Sequence, residues 1–262
     1  MTHLGRGHIA IDGLFEGRAR KPRMSALMCV TDDGAPLALF AEVVRSHGGL
    51  VDLMKLGSCT ALLQDRLMEK VEVLREADVP FHFGGTLFEK AVLGDRIVEY
   101  VAMLRRCGCR HVEISDATIL LPREVKLAHI ANFAAEFTVL AEVGAKAPGR
   151  SARMSPEDWV EELHETLDAG ASYAVIETGG SGRSGLCRED GSIRHGVLAA
   201  ILADGPPAER IIFEAANRRL QAEIFRRVGS DANLANVPLL DVIGAETLRL
   251  GLSPDTMLHA AR

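Results

Sequence analysis

Three segments between residues 137 and 177 decide the fold: FTVLAEV at 137–143, SPEDWVEELHETLDAG at 155–170 and YAVIE at 173–177. The outer two are short apolar runs of strand length. The middle one opens with Ser155-Pro156-Glu157-Asp158 and ends at Gly170. Serine at the cap, proline at the first helical position, acids in the first turn and a terminal glycine mark a helix over 156–169. A strand, a long helix and a second strand make a parallel pair joined by a helical crossover.

The same alternation recurs on both sides. Strand-like runs lie at 26–30, 50–56, 79–83, 111–115, 137–143, 173–177, 210–215 and 233–237. The last is the weakest, because Asn233 and Asn236 are poor strand formers. Helical spacing is read at 61–77 (Leu62, Leu63, Leu67, Val71, Leu74), 87–107 (Leu93, Ile97, Val101, Leu104) and 123–136. Eight β/α units predict an α/β chain folded as a single (β/α)8 TIM-type barrel over 26–262. Residues 1–25 form a leader, a lid or a plug under the barrel. The runner-up is an open doubly wound sheet, disfavoured because no G-x-G-x-x-G follows the first strand.

The chain has 262 residues, 47% hydrophobic and 25% charged, with a net charge of −6. Those fractions describe a soluble globular protein. The charge argues against nucleic acid as a partner, and no uncharged apolar run reaches the roughly 18 residues of a membrane span. The start of the chain lacks the pattern of a signal peptide. Five cysteines without a C-x-x-C predict reduced thiols and a cytoplasmic protein, with Cys107 and Cys109 as small buried groups.

In such a barrel the chemistry sits at the carboxyl ends of the strands. Here those ends read Asp32 and Asp33; Asp52 and Lys55; Gly84, Gly85 and Thr86; Glu113, Ser115 and Asp116; Glu142 and Lys146; Glu177; Glu214; and Asn236. An acid at a strand end also caps helices or pairs with arginine, but several converging carboxylates repel unless a cation lies among them. Oxygen ligands of this kind suit Mg²⁺. Lys55 follows an apolar run and belongs inside the mouth. Nine histidines without H-x-H or H-E-x-x-H argue against zinc. The glycine-rich run 179–185 reads as a phosphate cradle or as a flexible lid.

Several strings, in order, resemble the phosphosulfolactate synthase family: FGGTLFE (83–89), VEISD (112–116), EVGAK (142–146), LDAGA (167–171), IFEA (212–215), NLAN (233–236) and ETLRLGL (246–252) with Asp255-Thr256. The resemblance begins at Lys21-Pro22-Arg23 and runs almost to the end. It implies a Mg²⁺-dependent (β/α)8 lyase that adds sulfite to C3 of phosphoenolpyruvate through a Mg-stabilised enolate-type intermediate, an early step towards coenzyme M in some organisms. It implies Lys146 as the acid that protonates C2, with Glu142 beside it. Glu142, Glu177 and Glu214 are the expected metal ligands. Lys55, Ser115, Asp116, Arg183 and Asn236 are the expected contacts of a small anionic substrate; a homo-oligomer is compatible with this reading.

The chain also departs from the family pattern. Gly179-Gly180-Ser181-Gly182 stands where Arg-Glu-Ser-Gly is typical, Ser253 where an arginine is typical, Asp33 where a lysine is typical, and Ala117 where glycine is usual. Three cationic positions are absent, with Arg183 and Arg249 as candidate replacements. An alternative is therefore a diverged homologue using a less anionic carboxylate or another nucleophile. A third reading is a non-enzymatic stress-related protein, against which the retained Glu142, Lys146, Glu177 and Glu214 speak.

Overall fold

The computed structural model describes residues 15, 17–145 and 150–258. Eight strands run through it: β1 (Met28–Asp32), β2 (Leu53–Leu56), β3 (Phe81–Phe83), β4 (His111–Ile114), β5 (Thr138–Val143), β6 (Tyr173–Ile176), β7 (Ile211–Glu214) and β8 (Asn233–Pro238). All pair in parallel, in the order β3-β2-β1-β8-β7-β6-β5-β4. The β8–β1 pairing wraps the sheet into a nearly closed (β/α)8 barrel and excludes the open doubly wound alternative. No helix of the described residues is long and apolar enough to cross a membrane.

The helices among the described residues are α1 (Leu37–His47), α2 (Leu67–Glu76), α3 (Gly85–Leu93), α4 (Ile97–Cys107), α5 (Arg123–Ala134), α6 (Pro156–Asp168), α7 (His195–Asp204), α8 (Arg218–Val228) and α9 (Val242–Arg249). The segment expected as one helix at 87–107 is two. Gly94 ends α3, and Asp95 turns the chain at φ +52° before α4 begins. The expected helix 61–77 starts later, at Leu67. Thr60–Leu63 forms a 3-10 turn that leaves Leu62 and Leu63 exposed. On α6 the serine cap closes a reciprocal pair: Asp158 N donates to Ser155 Oγ at 3.2 Å and Ser155 N to Asp158 Oδ2 at 2.7 Å.

No ladder joins β3 to β4. That seam is bridged by side chains and a helix start. Cys109 Sγ lies 3.3 Å from the carbonyl oxygen of Phe81, and the Gly85 amide donates to Glu113 Oε1 at 3.0 Å. His82 Nδ1 stands 3.4 Å from Glu113 Oε2.

The amino end of the barrel is closed by the segment before β1. Arg18 donates to Asp52 at 3.2 Å, Glu246 at 2.9 Å and the carbonyls of Ala26 and Leu50. Arg23 donates to Asp52 Oδ1 at 2.6 Å. Two expectations are corrected here. Asp52 precedes β2, so it lies at this end and not in the mouth. Arg249 hydrogen-bonds the carbonyls of Ala232 and Leu27 at this same end, so it replaces no cation of the mouth. The five cysteines are all free, and Cys107 and Cys109 are buried as expected.

Candidate active site at the carboxyl end of the barrel

Side chains two apart on a strand share a face. On β5, Val139, Ala141 and Val143 pack outward with the helices, while Leu140 belongs to a small inner cluster with Cys29, Leu53, Val175, Ile212 and Ala235. Two residues beyond each of four inner apolar side chains stands a charged one: Lys55 after Leu53, Glu142 after Leu140, Glu177 after Val175, Glu214 after Ile212. The apolar layer supports a charged layer directly above it, nearer the carboxyl ends of the strands. All four charged residues are buried.

Lys55 is the hub. Its Nζ donates to Glu113 Oε1 at 2.7 Å and Asn236 Oδ1 at 3.0 Å, and lies 3.9 Å from Glu142 Oε1 and 4.0 Å from Glu214 Oε1. Burial works against its charge. Glu113, Glu142 and Glu214 outweigh burial and hold the ammonium well above the ordinary lysine range. Burial likewise opposes the charge of Glu113, and Lys55 overcomes it, keeping that carboxyl below the usual range.

The acids are held by backbone and side-chain donors. Glu177 Oε1 accepts the Gly179 amide. Glu214 accepts the Thr178 amide at 3.0 Å on Oε2 and the Asn236 side-chain amide on Oε1. Ser115 Oγ lies 2.6 Å from Glu142 Oε2 and 2.5 Å from Glu89 Oε1. One ligand atom from each of Glu142, Glu177 and Glu214 lies within 4.8 Å of the others. Carboxylate oxygens are the ligands a hard divalent cation takes, so these three acids are a candidate set for one.

The structure thus brings together Lys55, Ser115, Glu142, Glu177, Glu214 and Asn236. Asp116 is buried but turned to other partners: Lys126 Nζ at 2.9 Å and Arg150 Nη1 at 2.7 Å. Lys126 also donates to the Glu142 carbonyl at 2.6 Å and to Glu162 at 2.8 Å. This cluster ties Arg150 and α6 to the ends of β4 and β5. Arg183 is exposed on the loop after β6. Lys146 lies outside the described residues. Asp32, at the end of β1, is held by Lys70 Nζ at 2.6 Å and caps the Gly34 and Ala35 amides.

Three residues of the site were not singled out by sequence. Glu113 was visible only as one strand-end acid among many; its place two residues before Ser115 carried the signal. Glu89 and Lys126 come from helices, where strand-end reasoning does not look. The glycine run folds as a tight return onto the end of β6. The Leu186 amide donates to the Glu177 carbonyl at 2.8 Å and the Ser184 amide to the Thr178 carbonyl at 3.2 Å.

The sequence pattern of the family described as (2R)-phospho-3-sulfolactate synthase (ComA) matches residues 16–255. A phosphosulfolactate synthase of Bacillus subtilis is 39% identical over 239 residues, 91% of this chain and 95% of its own length. One from Methanothermobacter thermautotrophicus is 36% identical over 252 residues, covering 95% and 97%. Among solved structures, phosphonopyruvate hydrolase in complex with oxalate and Mg²⁺ superposes with a TM-score of 0.54 at 15% identity, covering 84% of this chain and 77% of that one. A 3-hexulose-6-phosphate synthase gives 0.54 at 14%, covering 85% and 98%. At those identities the structures speak for the barrel alone, whereas the sequence matches span nearly the whole chain: it belongs to the (2R)-phospho-3-sulfolactate synthase family of enzymes.

Proposed function

We propose that the protein is a lyase that joins sulfite to C3 of phosphoenolpyruvate and places a proton on C2, giving 2-phospho-3-sulfolactate. The observation that carries this reading is the buried triad Glu142, Glu177 and Glu214, with ligand atoms within 4.8 Å of one another and Lys55 beside two of them. Glu113, Glu142 and Glu214 surround the Lys55 ammonium, and Glu177 adds a further acid to the layer. An anionic substrate is repelled by that balance unless a divalent cation joins it. Glu142, Glu177 and Glu214 would hold Mg²⁺, which supplies positive charge to the substrate carboxylate. Ser115 orients Glu142, and Asn236 orients both Glu214 and Lys55. Lys146 is the proton donor to C2. Arg183, on the neighbouring loop, is the cation offered to the phosphate; its planar fork can take two oxygens at once.

The test is direct. Purified protein is incubated with phosphoenolpyruvate and sulfite, with and without Mg²⁺, and followed by ³¹P NMR. The expected result is a new phosphate ester only when sulfite and Mg²⁺ are both present, lost in Lys146→Ala. Unchanged phosphoenolpyruvate would overturn the reading in favour of the diverged homologue. The observation behind that second reading is Ser253, where the family arginine is absent and Arg218 Nη2 donates instead to Ser253 Oγ at 2.6 Å. Unphosphorylated 2-oxo and 2-enoic acids would then be tried.

A further inference from the structure

Lys55 stands too close to the carboxylate triad to be neutral toward a metal ion. Its Nζ is 3.9 Å from Glu142 Oε1 and 4.0 Å from Glu214 Oε1, in a buried setting where charges are poorly screened. It does not lie among the three acids as a simple partner. Its shorter contacts, to Glu113 Oε1 at 2.7 Å and Asn236 Oδ1 at 3.0 Å, draw it to one side of them. Asn236 fixes this arrangement, because its carbonyl takes Lys55 while its amide nitrogen donates to Glu214 Oε1. Its backbone sits at φ +56° beside a register irregularity between β1 and β8, a conformation asparagine tolerates better than most residues.

We propose that Lys55 is a resident counter-ion that opposes the divalent cation, so that the cation binds weakly alone and tightly only together with an anionic ligand. This rests on the metal site proposed above. The ammonium neutralises part of the triad's charge when no cation is present, which keeps buried acids from repelling one another. The same ammonium repels an arriving divalent cation. A dianion entering the mouth attracts both positive charges and removes the conflict. Cation and substrate therefore load as a pair, and the coupling is reciprocal: each tightens the other by the same factor.

The experiment measures Mn²⁺ binding by electron paramagnetic resonance and by titration calorimetry, with and without oxalate as the dianion. Wild-type protein is expected to bind Mn²⁺ at least tenfold more tightly with oxalate than without. Lys55→Met is expected to bind Mn²⁺ alone at least tenfold more tightly than wild type, with the oxalate gain reduced. Lys55→Gln keeps a donor for Glu113, serves if the Met variant does not fold, and is expected to behave the same way. An unchanged or weaker Mn²⁺ affinity in both folded variants overturns the proposal while leaving the metal site standing. Mn²⁺ binding to neither wild type nor variants, at any oxalate concentration, overturns the metal site and the proposal with it.

Discussion

Lys55 and His82 both face Glu113, and burial acts on the two bases with opposite outcomes. Three carboxylates keep Lys55 charged. His82 Nδ1 is turned to the Phe83 carbonyl at 3.1 Å, and burial, with Lys55 and His111 adding to it, pushes its pKa down to about 3. The folded protein therefore holds His82 neutral where an unfolded chain would protonate it. Between pH 6.5 and about 3 the unfolded state binds the extra proton, so stability falls as the pH drops through that window. One proton gives a slope of about 1.4 kcal/mol per pH unit. Urea titrations at several pH values should show this acid-side loss in wild type and a shallower slope in His82→Gln. The acids of the mouth were legible in sequence because strand-end positions are predictable once the barrel is assumed. The partners of each acid were not: Glu113 with Lys55 spans 58 residues and Lys55 with Asn236 spans 181, and such pairings exist only after closure.

Elements were legible where the local signal was clean. The strand at 137–143 and the helix opening at Ser155 come out where the sequence puts them, since caps and apolar runs are local properties. Helix α7, HGVLAAILAD, is apolar nearly all round and offers no stripe to read. Helix α8 does carry one, in Leu220, Ile224 and Phe225. The glycine run 179–185 had two readings, phosphate cradle or loose lid, and the hydrogen bonds show a loop tied down at the end of β6. Gly185 sits at φ +58°, and a Cβ there would come within 1.9 Å of the Glu177 carbonyl oxygen. Gly185→Ala must shift the backbone that carries Glu177. It should cost about 1–3 kcal/mol of stability and weaken Mn²⁺ binding, measured by thermal melting and by the resonance titration above.

For the molecule as a whole, alternation and length identified the barrel, and the family strings identified its kind. What they could not fix was which end of the barrel a residue near a strand boundary occupies. Asp52 is one residue ahead of β2 and so belongs to the opposite face from Lys55, three residues later. There it accepts from Arg18, Arg23 and the Met28 amide, all largely buried. Asp52→Ala leaves two buried guanidinium groups without their shared acid and should destabilise the fold by about 3–5 kcal/mol. Chemical denaturation would read that loss. Turnover per folded molecule at low temperature should stay near wild type, because the knot lies at the far end from the mouth.

The missing ladder between β3 and β4 has a consequence for how the wall of the barrel yields. Every other pair of neighbouring strands must break main-chain hydrogen bonds to separate. This pair is held instead by core packing and by side-chain contacts, Cys109 to Phe81 and Glu113 to Gly85 and His82 among them. Amide hydrogen exchange is expected to be faster along β3 and β4 than along the paired strands. Glu113 is also the closest partner of Lys55, with Asn236 holding the same ammonium from the β8 side. The one unladdered line in the wall and the charge balance of the mouth thus share a single carboxylate.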